Sequence, residues 1–138
     1  MIGMKKNFFL GVTLLIICVI IAMRNNDYSS QKNNQDIFTS LKESGNSNLV
    51  FYKKDCPYCK GAEKEVLERS RRSVEPTFFI DAESRNGKSL AQKYHVRYAA
   101  TVIKIRDGKV QKYLYAEKQN DTYRAKEDVI DKVFGGER

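Results

Sequence analysis

Two cysteines separated by two residues stand where a run of strand-forming residues gives way to a helical pattern, and this junction constrains the chain more than any other feature. Leu49-Val50-Phe51-Tyr52 is too short for a helix and rich in strand formers. Lys53-Lys54-Asp55 leads into Cys56-Pro57-Tyr58-Cys59, and a charged helical pattern then runs to about Arg72, with Ala62, Val66 and Leu67 inward. Pro57 suits the first turn of that helix, where its missing N–H costs nothing. A strand that feeds a helix and then a second strand makes a right-handed crossover with the strands parallel, so the chain reads as α/β.

The rest of the sequence supplies the partners such a unit needs. Ile37, Phe38 and Leu41 lie at helical spacing in residues 36–44, with Gly45 as a stop. Thr77-Phe78-Phe79-Ile80 is a second strand with Pro76 at its entrance, and Leu90, Ala91 and Tyr94 mark a short helix. Thr101–Ile105 is a third strand, Asp107-Gly108 a hairpin turn, and Val110–Tyr115 the returning strand. Ala125, Val129, Ile130, Val133 and Phe134 form the buried stripe of a last helix. The expected order, α-β-α-β-α-β-β-α, implies a mixed central sheet flanked by helices. At 138 residues there is room for about one domain.

Residues Phe8–Met23 carry no charge, with Lys5 and Lys6 before them and Arg24 after. As a helix this run spans about 24 Å, slightly less than the ~30 Å of a hydrocarbon core, and snorkelling by Lys6 and Arg24 absorbs the difference. A cleaved signal peptide is the competing reading, but no Ala-x-Ala-like pair precedes the polar stretch. The expected layout is therefore an N-terminal transmembrane anchor over residues 1–24, a polar tether over 25–35 and one domain over 36–138. Positive charge ahead of the anchor places that domain on the extracytoplasmic side. The formal net charge is +8, and 3 of the 25 basic residues precede residue 25, so most of the excess lies on the rest of the chain. That suits the neighbourhood of an anionic membrane. Nucleic-acid binding is not expected, because lysine and arginine are spread through every segment and interrupted by glutamate.

Of the three cysteines, Cys18 falls within the apolar run, leaving Cys56 and Cys59 as a pair. Cys56 sits at the start of a helix, where unpaired N–H groups and the helix dipole favour a thiolate; cysteines so placed have pKa values of about 3.5–7.5 against ~8.5 for a free thiol. Cys59 follows one turn later, on the same face, and can close a disulfide with it. The geometry divides the labour: Cys56 exchanges with a partner's sulfur, and the more buried Cys59 resolves the mixed disulfide. A purely structural disulfide across so small a loop would stabilise little. Zinc needs about four ligands, and His95 is the sole histidine, so no metal is expected. His95 itself reads as a surface or packing residue.

The segment Leu49–Glu65, the hairpin and the terminal helix resemble the thioredoxin superfamily over roughly residues 36–134. Cys-Pro-Tyr-Cys is similar to the glutaredoxin tetrapeptide, whereas Tyr94–Thr101, the strand after it and Asp107-Gly108-Lys109 look more like thioredoxins. With the anchor, the chain resembles small membrane-tethered bacterial proteins such as bacteriocin transport accessory and conjugation-associated thioredoxin-like proteins. The resemblance implies a thioredoxin-like fold and places Ala99, Ala100 and Thr101 in the substrate-facing loop. Three departures accompany it. The family's cis-proline falls on Ala100; the buried aspartate and the lysine of thioredoxins fall on Val50 and Thr77; and the space between Ile80 and Thr101 cannot hold the helical insertion of periplasmic dithiol oxidases. Glutathione-binding residues are not clearly matched, and no cofactor is expected.

These features together lead to the expectation of a membrane-tethered thiol-disulfide oxidoreductase acting on thiols or disulfides of exported polypeptides, recycled by an unnamed redox partner. Cys56 and Cys59 are the catalytic pair, while Pro57 and Tyr58 tune potential and contact. The alternative is a non-catalytic accessory or binding module of a secretion or conjugation apparatus, which Ala100 favours and the intact cysteine pair opposes.

Overall fold

The computed structural model describes residues 2–24, 28 and 45–135, and in the first stretch the side chains of residues 9–21. The chain opens with helix α1, Ile2–Arg24, whose described side chains are exposed. Among the described residues no helix is long and apolar enough to cross a membrane. The tether expected over 25–35, apart from Tyr28, and the helix expected over 36–44 lie outside the described residues.

From residue 47 the order is β1 (Ser47–Tyr52), α2 (Pro57–Ser70), β2 (Thr77–Asp81), α3 (Arg85–Lys93), β3 (Thr101–Arg106), β4 (Lys109–Leu114), β5 (Ala116–Gln119), β6 (Thr122–Ala125) and α4 (Glu127–Phe134). Strands β1–β4 form a mixed sheet in the order β2-β1-β3-β4. β1 runs parallel to β2, with Val50 opposite Phe79, and antiparallel to β3, with Val50 opposite Val102. The α2 crossover supplies the parallel pair, and the Asp107-Gly108 turn supplies the antiparallel pair of β3 and β4. Both turn residues have positive φ, 49° and 74°, as a tight two-residue hairpin of this twist demands.

Side-chain alternation along β1 sorts the interior into two layers. Val50 and Tyr52 face the larger one, with Cys59, Ala62, Val66 and Leu67 of α2 and Val129, Ile130, Val133 and Phe134 of α4. Leu49 and Phe51 face the other, with Ile80, Ile103 and Leu90 of α3. The strand is buried on both faces, which is why its sequence is a continuous apolar run rather than an alternating one. Asn48 at the far end from the cysteines is fully buried yet satisfied: its Nδ2 donates to Ser73 and Thr77 Oγ atoms, and its Oδ1 accepts from Arg106.

Two local expectations are corrected. Ala125 does not belong to the last helix; it closes β6, paired with Ala116, and the helix begins at Glu127. Tyr115 is not part of the returning strand, which ends at Leu114. Between them lies an extra hairpin, β5–β6, turning through Asn120 and Asp121 with φ of 46° and 59°. Both residue types tolerate the left-handed region better than most, so the turn has a physical basis in the sequence. The hairpin packs on α2 so closely that a Cβ on Gly61 would collide with the Tyr123 carbonyl.

Candidate functional site

Cys56 caps α2. It keeps extended backbone angles (φ −84°, ψ 114°) while its carbonyl accepts the amide of Lys60 at 3.1 Å, the first bond of the helix. Its sulfur takes the role a serine or aspartate oxygen usually plays at such a position, accepting the main-chain N–H of Cys59 at 3.2 Å. Pro57 follows in the first turn and is exposed, as its fixed φ and absent donor allow. Cys59, one turn along the same face, is buried at 1% exposure, while Cys56 is half-buried; both are free thiols. The structure thus brings the two sulfurs together at the start of a helix, one reachable and one enclosed.

Burial pushes the Cys59 thiol up to about 11, and its interaction with Cys56 adds to the rise; the main chain of Lys53 and the Tyr115 hydroxyl oppose it. Tyr115 is fully enclosed and its hydroxyl donates to the Phe51 carbonyl at 3.2 Å. Its phenol is held well above the usual range by burial, with smaller contributions from Tyr28 and Cys59. Tyr28 shares the cluster, its ring 5.1 Å from that of Tyr52 and 5.3 Å from that of Phe79. These two tyrosines surround the buried cysteine where the resemblance had pointed only to Val50 and Thr77. Sequence reading missed them because one stood at a strand end and the other in a polar stretch, positions that normally face solvent. The isolated aromatic at position 28 was the available signal.

Tyr58 is 39% exposed and meets Tyr123 of β6 edge-on at 4.7 Å, so the extra hairpin buttresses the exposed side of the motif. Ala100 is buried in the same cluster as Cys59, with Cys56 and Ala99 packed against that cluster. The Ala99–Ala100 peptide is trans, and Ala100 has a φ of 59°, in the left-handed region that costs an alanine roughly 1–2 kcal/mol. The Ala100 carbonyl accepts the Tyr115 amide at 2.9 Å, which ties this loop to the tyrosine beside Cys59. Thr101 is buried at the start of β3, its hydroxyl donating to the Tyr98 carbonyl at 2.7 Å. A concavity of about 420 Å³ is lined by His95, Arg97, Tyr98, Thr101, Lys112, Tyr113 and Leu114. His95 is at the surface. Among the described residues no three histidine, cysteine or acidic side chains stand together as a metal site.

No family model matches the chain. Among curated proteins it is 26% identical over 88 residues to thioredoxin domain-containing protein 9 of Homo sapiens, an alignment covering 64% of this chain and 38% of that protein's length. Among solved structures it is similar to the first thioredoxin domain of mouse protein disulfide-isomerase A4, with a TM-score of 0.50 and 20% identity, covering 74% of this chain and 70% of that one. Thioredoxin from Aeropyrum pernix is also similar, with a TM-score of 0.49 and 15% identity over 64% of this chain and 78% of the other. The βαβ crossover and the antiparallel hairpin beside it agree with the likeness in fold to the disulfide-isomerase domain. The chain has a thioredoxin-like fold.

Proposed function

We propose that the protein is a thiol-disulfide oxidoreductase in which Cys56 exchanges with the client and Cys59 resolves the intermediate. The observation that carries this reading is the reachable Cys56 sulfur at the head of α2, accepting the Cys59 amide at 3.2 Å, with the Cys59 thiol enclosed one turn behind it. The Cys56 sulfur attacks a client disulfide; one client sulfur leaves as a thiolate and takes up a proton. Cys59 then loses its proton and attacks the Cys56 sulfur, expelling the second client sulfur. Two client thiols and a Cys56–Cys59 disulfide result, with two electrons transferred. In reverse, the oxidised pair converts a client dithiol to a disulfide. Either direction requires a recycling partner that is itself a dithiol or disulfide.

Pro57 sets the helix start and Tyr58 offers an aromatic contact beside the reachable sulfur. Ala99, Ala100 and Thr101 would form the facing loop. The uncharged Phe8–Met23 run, with Lys5 and Lys6 ahead of it, supports work at the outer face of a membrane on exported polypeptides. The test is trapping with Cys59→Ser in native membranes: mixed disulfides through Cys56 identify the clients, and their absence across redox conditions refutes exchange. Protease accessibility of residues 45–135 in intact cells tests the location.

One observation favours a second reading, an accessory binding module without turnover. Ala100, trans and left-handed, stands where the family presents proline. Insulin reduction and oxidation of a reduced model protein separate the two. Turnover abolished by Cys56→Ser supports the enzyme, and an inert wild type with a tight protein partner supports the module.

A further inference from the structure

Tyr28 is an anomaly of placement. It belongs to a polar stretch outside the sheet and its helices, yet only 2% of it is exposed, less than several residues of the core proper. Two kinds of contact hold it. Its main-chain N–H donates to Glu63 Oε1 of α2 at 2.9 Å, and its ring lies between Tyr52 at the end of β1 and Phe79 of β2. With Tyr52, Glu63 and Cys59 it lines a pocket of about 410 Å³ whose remaining wall is Lys53, Lys54, Asp55 and Lys60. Burial holds its phenol above the usual range, the neighbouring Tyr115 hydroxyl partly offsets this, and Glu63 and the two cysteines add smaller contributions.

We propose that Tyr28 is a positioning residue for the resolving thiol: its ring walls Cys59 off from water on the pocket side, and so sets how readily Cys59 gives up its proton to attack the Cys56 mixed disulfide. The step is the second half of the exchange described above, so the inference deepens that reading. The Cys59 proton passes to solvent, its sulfur bonds to Cys56, and the client thiolate departs. Desolvation is the largest cause of the raised Cys59 value, and a ring contributes to it where a hydroxyl could not. The groups facing Cys59 are Cys56 and the Lys53 main chain from the link between β1 and α2, Tyr115 from the link between β4 and β5, and Tyr28, which interacts with Cys59 and shares its pocket. The charged side chains of Lys53, Lys54, Asp55, Lys60 and Glu63 line the pocket. Because residue 28 follows α1 by only four residues, its Cα lies within ~15 Å of the end of that helix, by the 3.8 Å spacing of consecutive Cα atoms, so the same contact tethers α1 near the dithiol site.

The test uses the full chain carrying Cys56→Ser, in which the titration of Cys59 is followed by the NMR shift of its Cβ. Tyr28→Ala should lower the midpoint by about one unit or more, whereas Tyr28→Phe, which keeps the ring, should leave it nearly unchanged. In the chain with both cysteines, release of thionitrobenzoate from a Cys56 adduct should then run about three- to fourfold faster at neutral pH in Tyr28→Ala, the tenfold gain in thiolate being partly offset by its lower nucleophilicity. If the alanine variant loses cooperative unfolding, Tyr28→Leu, which fills less of the same space, is judged by the direction of the same shift. An unmoved midpoint in the folded variants, or a phenylalanine effect as large as that of alanine, overturns the inference. The titration needs no client. A chain that forms no client adducts but shows the shift refutes the proposed exchange alone, and one that exchanges normally with an unmoved midpoint refutes the role of Tyr28 alone.

Discussion

The main-chain amide of Cys59 donates to the Cys56 sulfur at 3.2 Å, so the side chain proposed to begin the reaction caps the amide of the residue proposed to resolve it. The contact exists because Cys56 stays extended while Pro57 starts the helix, leaving the amides of the first turn without intrahelical partners. From it follows an asymmetry of access. In the reduced protein, iodoacetamide at neutral pH should modify Cys56 at least about tenfold faster than Cys59, given the enclosure and raised thiol of the latter. Peptide mapping after brief labelling measures the ratio, and equal labelling would contradict the arrangement.

Stability of the reduced protein should fall in alkali. Folded Cys59 holds its proton to about 11, whereas the unfolded chain releases it near the ordinary 9.0. Between those values the folded state binds more protons, so the stabilisation is complete below about pH 8 and drains away as pH rises, by roughly 3 kcal/mol at most. Tyr28 and Tyr115, whose phenols burial also holds up, steepen the fall above about pH 10. Urea unfolding across this range should show a smaller slope for Cys59→Ala than for the wild type.

Tyr115→Phe removes the hydroxyl that donates to the Phe51 carbonyl. The expected loss is about 1 kcal/mol, the net worth of a typical buried hydrogen bond. The same hydroxyl lowers the Cys59 value, so its removal should push that thiol further up. Denaturant midpoints and the Cys59 titration report the two effects separately, and a lowered thiol value would contradict the assigned role.

Gly61→Ala should destabilise the domain by roughly 1–3 kcal/mol, because its Cβ would meet the Tyr123 carbonyl, which is backbone and cannot swing aside. The strain falls on the contact between α2 and the β5–β6 hairpin, so the Tyr58–Tyr123 pair should loosen with it. A stability within about 0.5 kcal/mol of wild type would show that the hairpin does not press on α2 as described.

Ala100→Pro tests the loop. Proline holds φ near −65° and cannot take the 59° seen here, so the substitution should cost more than about 1 kcal/mol unless the loop rearranges. A stable variant with increased exchange activity would show that the loop can adopt a second arrangement with φ near −65° at this position.

The sequence by itself determined the layers and the motif. The short apolar run at residues 49–52, rich in strand formers, required a strand. Pro57 and the following helical period required a helix starting under Cys56, and Asp107-Gly108 required the hairpin. These signals are local: backbone freedom, missing donors and hydrophobic period act within a few residues of chain. The β5–β6 hairpin escaped because its strands are short and polar, and Ala125, read by period alone, fits a helical stripe as well as a strand end. The surroundings of Cys59 were decided by tertiary structure alone. Tyr28 and Tyr115 reach it across 31 and 56 residues of chain. Whether an aromatic side chain faces water or a thiol depends on which elements pack around it, and no local rule of propensity or spacing carries that information.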